Sequence, residues 1–139
     1  MTGQKGSSTG KVVLSLNATD RVLFIDATGP FDEAFAQEYQ KQIVPFREAL
    51  QPIAWGSLVT LKGGENLLTV EAREFLVQSI KGARQLGLVV TALVLESETS
   101  GQEEQYWHEL YQATGLKYGL FKDKHTALSF LTLSLQKSR

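Results

Sequence analysis

The chain has 139 residues, the scale of one domain. Fourteen Lys and Arg face fifteen Asp and Glu, a net charge of -1, so the basic footprint of a nucleic-acid-binding domain and an electrostatic membrane anchor are both excluded. There is no Cys, which removes disulfides, thiolate metal sites and Cys nucleophiles, and two His leave little for an imidazole metal centre.

The opening MTGQKGSSTG is small and polar. A secretory signal needs an apolar run of at least about seven residues and a membrane span about twenty; neither pattern occurs. The expectation is a cytoplasmic protein with a flexible tail over 1–10, one domain over 11–135 and a short polar end over 136–139.

Lys11 to Leu16 and Arg21 to Ala27 are β-type runs joined by Asn17-Ala18-Thr19-Asp20, whose side chains suit a turn; together they predict a hairpin with the first strand towards an edge. Asp32 is a suitable N-cap for a first helix carrying Phe35, Tyr39, Ile43, Phe46 and Leu50 on its apolar face. Pro45 lies inside that helix and predicts a kink or an early end, and Pro52 closes the region. Trp55 stands just before a strand over Gly56 to Leu61 and is expected to be partly exposed.

Lys62-Gly63-Gly64-Glu65-Asn66 is the clearest loop signal. A second helix starts at about Thr69, which caps it, with Ala72, Phe75, Leu76, Ser79, Ile80, Ala83 and Leu86 inward. Arg73, Lys81 and Arg84 share its wet outer side, and Gly87 stops it. Leu88 to Leu95 is nearly all apolar, as for a central strand covered on both faces. Ser100-Gly101-Gln102-Glu103 matches the capping box before a third helix with Tyr106, Trp107, Leu110, Tyr111 and Thr114 inward, ended by Gly115. Lys117 to Phe121 is a short last strand, and Asp123 caps a final helix containing Ala127, Leu128, Phe130, Leu131 and Leu135. The order is β-β-α-β-α-β-α-β-α: an α/β fold with a mixed sheet of about five strands and about four helices.

Catalytic constellations are scarce. The loop at Lys62–Asn66 is neither GxxxxGK[ST] nor GxGxxG. A receiver-type acidic cluster is missing, because Asp26 is the one strand-end Asp and Thr60 stands where a phosphate acceptor should be. No GxSxG elbow exists to pair with His108 or His125. Glu103 and Glu104 are helix neighbours that point apart, so they make a poor acid–base pair. No metal site and no cofactor are expected.

The element order, the length and Gly29-Pro30-Phe31-Asp32 together resemble the STAS domain, the sulphate transporter and anti-sigma factor antagonist family, in its SpoIIAA-like bacterial branch. STAS domains carry Gly, a variable residue, an apolar residue and Asp between second strand and first helix, matched here by Gly29, Phe31 and Asp32. Phe121-Lys122-Asp123 with Ala127-Leu128-Ser129-Phe130-Leu131 is similar to the end of that branch, and the likeness runs from about Lys11 to Leu133. The resemblance implies a non-enzymatic regulatory module that meets a protein partner and leaves a homodimer open. Regulatory members place a phosphorylatable Ser at the start of the second helix; here Val70 falls at about that position and cannot be phosphorylated. The partner or switch candidates are therefore Gly63, Gly64, Glu65, Asn66, Thr69, Arg73 and Lys81, with Gly29 and Asp32 as structural motif. The alternative is a small-ligand or lipid-binding domain, with the aromatic residues of the third helix lining a pocket.

Overall fold

The computed structural model describes residues 11–29, 31–50, 53–62, 68–95 and 101–137. Its elements are β1 (Lys11–Asn17), β2 (Val22–Thr28), α1 (Glu33–Leu50), β3 (Trp55–Lys62), α2 (Val70–Gln85), β4 (Leu88–Leu95), α3 (Gly101–Thr114), β5 (Lys117–Phe121) and α4 (Lys124–Lys137). The expected order is the observed one. The tail over 1–10, Pro30, Pro52, the Gly63–Asn66 loop and Ser100 of the capping box lie outside the described residues.

The five strands lie in the order β1-β2-β3-β4-β5. β1 runs antiparallel to β2, and every later pairing is parallel. The hairpin turn is held by Asn17, whose Oδ1 accepts from the Asp20 backbone N–H at 3.0 Å. Its Nδ2 also donates to the Asp20 carboxylate at 3.0 Å. These are the local bonds that make Asn and Asp turn formers. β1 is an edge strand, as its polarity predicts.

Strand alternation sends one set of side chains to each face of the sheet. Leu23, Ile25, Leu61, Leu93 and Leu95 face α1, α2 and α3 in the larger core. Val22, Leu58, Val90, Ala92 and Val94 face α4, which supplies Ala127, Leu131 and Leu135. β4 is thereby covered on both sides, which explains its continuous apolarity. α4 packs mainly over β3, β4 and β5 and reaches β2 at Val22, so that face of β1 is left largely uncovered. Val13, on the uncovered side, is 63% exposed.

Two expectations need correction. Trp55 is not partly exposed: it is fully buried as the first residue of β3, and its indole Nε1 donates to the Leu86 carbonyl at 3.3 Å. The α2–β4 turn folds over it, because Gly87 adopts φ +110° and brings the chain against Ile53 and Trp55. A side chain rarely takes that φ. Of the kink or early end expected at Pro45, the early end does not occur: the helix continues to Leu50. Pro45 is solvent-exposed, while Ile43, Arg47 and Leu50 on either side of it are buried against the rest of the fold. Tertiary packing thus offsets the missing backbone hydrogen bond. The inward face of α2 also includes Val77, buried although absent from the expected stripe, while Phe75, Leu76 and Leu86 are half-buried.

Candidate functional site

The sequence places the candidate site at the entry to α2. Three contacts build that entry. The Gly29 N–H donates to the Lys62 carbonyl at 3.0 Å, tying the end of β2 to the end of β3. Phe31 is buried, packs edge-to-face on Phe35 at 5.1 Å, and bridges to Leu68. Its carbonyl accepts from the Thr69 N–H at 3.1 Å. Asp32 then caps α1, its Oδ1 accepting from the Phe35 N–H at 3.0 Å. Asp32 therefore starts α1, and Phe31 fixes the point where α2 begins.

Thr69 is the N-cap of α2. Its backbone is extended, and its Oγ1 accepts from the Ala72 N–H at 3.2 Å. Glu71 sits in the first turn, where a negative charge complements the free amides. Val70 is the first helical residue and is 74% exposed, an apolar side chain held in water at the helix start.

Arg73, Lys81 and Arg84 do not share a free outer face. The Arg73 guanidinium lies 5.9 Å from the centre of the Tyr106 ring, a cation–π arrangement with α3. Arg84 donates to the Thr114 carbonyl at 3.0 Å, satisfying a C-terminal carbonyl of α3. Both arginines thus join α2 to α3, and Lys81 is exposed. Glu74 and Gln78 are exposed on the same helix.

Of the aromatic residues of α3, Trp107 and Tyr111 are core and Tyr106 is half-buried. Tyr111 stacks on Tyr118 at 5.2 Å. His108 is half-buried with Nδ1 2.8 Å from the Tyr118 hydroxyl, and His125 is exposed at the start of α4. Asp123 caps that helix, accepting from the Thr126 N–H at 2.8 Å, and this bond holds its carboxyl below the usual range. Asp26, at the end of β2, pairs with Lys124 at 3.6 Å. Among the described residues no group of His, Asp and Glu is arranged to hold a metal ion.

Between the sheet and α1–α2 lies a small apolar cavity of about 60 Å³. Tyr39, Trp55, Phe75, Trp107 and Tyr111 are among its walls, and Ser57 and Thr91 place hydroxyls on its floor. Those two hydroxyls bond each other at 2.8 Å. Burial pushes the Tyr39 phenol up to about 12 despite the Arg47 guanidinium beside it, and burial also raises that of Tyr111.

Arg47 is the feature that the sequence reading missed. It occupies a position on the inner stripe of α1, between Ile43 and Leu50, and is 7% exposed. Its Nη2 donates to the Ser79 carbonyl at 2.9 Å and to the Ser79 hydroxyl at 2.6 Å. The Ser79 hydroxyl donates onward to Gln40 Oε1 at 2.9 Å. Helical spacing alone flags the anomaly, since a charge four residues after Ile43 falls on the apolar face.

No family model matches the sequence, and no curated protein matches it. Among solved structures, the chain is similar to an uncharacterized protein from the DUF3478 family with a SpoIIAA-like fold, from Shewanella loihica PV-4. The TM-score is 0.57 at 18% identity, over 88% of this chain and 93% of the other. Likeness at that level of identity is a likeness of fold: this chain has a SpoIIAA-like α/β fold, the architecture that the STAS resemblance implied.

Proposed function

We propose that this protein is a non-enzymatic regulatory or protein-interaction module, similar to anti-sigma factor antagonists but without their phosphorylatable Ser. The observation that carries this reading is the SpoIIAA-like fold with Val70 exposed at the start of α2. Partner contact uses the segment from Gly63 to Thr69 and the accessible side of α2, where Val70 and Lys81 reach solvent. An apolar residue beside exposed charges fits the mixed character of protein interfaces. Because Val70 carries no hydroxyl, control acts through partner availability and not through phosphorylation at that position. Thr69 stays a cap rather than a switch.

Affinity capture from the source cells tests this. Lys81→Glu, Val70→Asp and Arg73→Glu should each reduce recovery of a partner while circular dichroism stays that of the parent. Lys81→Glu is the cleanest of the three, because Arg73 also contacts Tyr106. Recovery unaffected by all three removes α2 from the interface.

A second reading, small-ligand or lipid binding, draws on the aromatic-lined cavity. Its volume is about 60 Å³, less than half of the roughly 150 Å³ that accommodates benzene in an engineered cavity. A lipid enters only if α1 and α2 separate from the sheet, so this reading ranks second. Native mass spectrometry of protein taken from cells decides it: a retained small molecule favours the ligand, and a clean apo mass disfavours it.

A further inference from the structure

We propose that the groove between α1 and α2 is a carboxylate-binding site whose cation is Arg47. A buried guanidinium needs compensation for its lost hydration, and that compensation is normally an acid. Arg47 has none: no described carboxylate forms an ion pair with it. Its partners are neutral groups, the carbonyl and hydroxyl of Ser79 and the Tyr39 phenol beside it, and its buried Nε–H has no acceptor. Ser79 cannot supply more, because its hydroxyl proton is committed to Gln40. The cation is therefore held in a fixed place by a chain of neutral hydrogen bonds; its unused Nε–H is sealed from solvent, and a ligand meets the part of Arg47 that lines the groove.

The space beside it is open. A groove of about 760 Å³, in the size range of small-molecule sites, runs over Arg47, Ser79, Gln40, Gln78 and Gly82. Nothing lies within 4 Å of where a Cβ on Gly82 would stand, so the α2 wall is low at that point. Val70 and Phe75 line the groove as well and make part of it apolar. Phe75 also borders the core cavity. Glu71 and Glu74 complete the lining, and their charges disfavour a dianion more than a monoanion. A planar guanidinium matches a planar carboxylate. The ligand that fits is an organic monocarboxylate with an apolar body, either a free acid or an acidic side chain flanked by apolar residues on a protein partner.

NMR titration of the intact 139-residue protein tests the assignment. Benzoate and hexanoate are the free probes, acetyl-Leu-Glu-Leu-amide is the protein-like probe, and benzamide and inorganic phosphate are the controls. The Arg47 Nε–H and the amides of Gln40, Ser79 and Gly82 should move saturably with a carboxylate and stay still with benzamide. Movement by the peptide alone assigns the site to a protein chain; movement by the small acids assigns it to a free ligand. Arg47→Met should weaken binding about tenfold or more. Gly82→Phe, at an open surface position, should block the groove with the fold intact, so the proposal stays testable if the Arg47 variant fails to fold. Glu74→Gln should tighten binding. No saturable movement with any carboxylate, equal movement with phosphate, or binding indifferent to Gly82→Phe overturns the proposal. The groove shares Val70 with the surface proposed for partner contact, but not Lys81; partner capture lost in Lys81→Glu while carboxylate binding persists, or the reverse, tells the failure of one reading from the failure of the other.

Discussion

Single residues set the helix starts. Thr69 is the cap of α2, and its hydroxyl accepts a backbone amide that otherwise has no acceptor within the helix. Thr69→Ala should lower unfolding free energy by about 1 kcal/mol, read from urea denaturation, while Thr69→Ser should restore nearly all of it. A larger loss that Ser fails to restore would point to a role beyond capping. Asp123 shows the same chemistry in charged form. Its carboxyl is lowered by the Thr126 amide, so its contribution is present above the ordinary carboxyl range and disappears as pH falls through the lowered value. These caps were readable from residue type and position. Arg47 was not read, because its meaning rests on burial and on Ser79, which lies on another helix.

At the scale of elements, α1 carries a proline in its interior without ending there. Pro45 is exposed and its ring contributes little to the core, so its main effect is the lost backbone bond. Pro45→Ala should raise stability by about 1–2 kcal/mol, a gain reduced by the freer unfolded chain. Thermal denaturation measures it, and an unchanged or lower melting temperature contradicts it. The α2–β4 turn behaves oppositely. Gly87 has φ +110°, and an added Cβ would stand 2.7 Å from the Ile53 carbonyl, so Gly87→Ala should destabilise by about 1–3 kcal/mol. The same turn covers Trp55, and loss of near-ultraviolet dichroism is the expected spectroscopic sign of its displacement. The helix faces were legible from three- and four-residue spacing. The exposure of Trp55 was not, because the turn that buries it is more than thirty residues away in sequence.

Across the whole molecule, the two sheet faces differ in how they are closed. Three helices cover one face, with Tyr39 and Tyr111 between helix and sheet; α4 covers part of the other. Among the described residues no helix is long and apolar enough to cross a membrane. The buried phenols give a pH prediction. Tyr39 is raised from the ordinary value of about 10 to about 12, so the neutral form is favoured in the folded state. Its contribution is complete below about pH 10 and is lost as pH rises through about 12. Tyrosinate absorbance and loss of helical dichroism should therefore appear together at alkaline pH. Complete tyrosine ionisation near pH 10 with helicity intact contradicts it.

Periodicity, caps and turn residues are local, and they were enough to establish nine elements, their order, the mixed sheet and the edge position of β1. They also excluded thiol chemistry and located the start of α2. Long-range contact decided the rest. Burial of Trp55 depends on Gly87, continuation of α1 past Pro45 depends on its neighbours in the core, and the turning of Arg73 and Arg84 towards α3 depends on how two helices pack. The guanidinium of Arg47 gained its place in the same way: a one-dimensional pattern marks a charge on an apolar stripe, but only packing shows which groups meet it and which donor they leave unused.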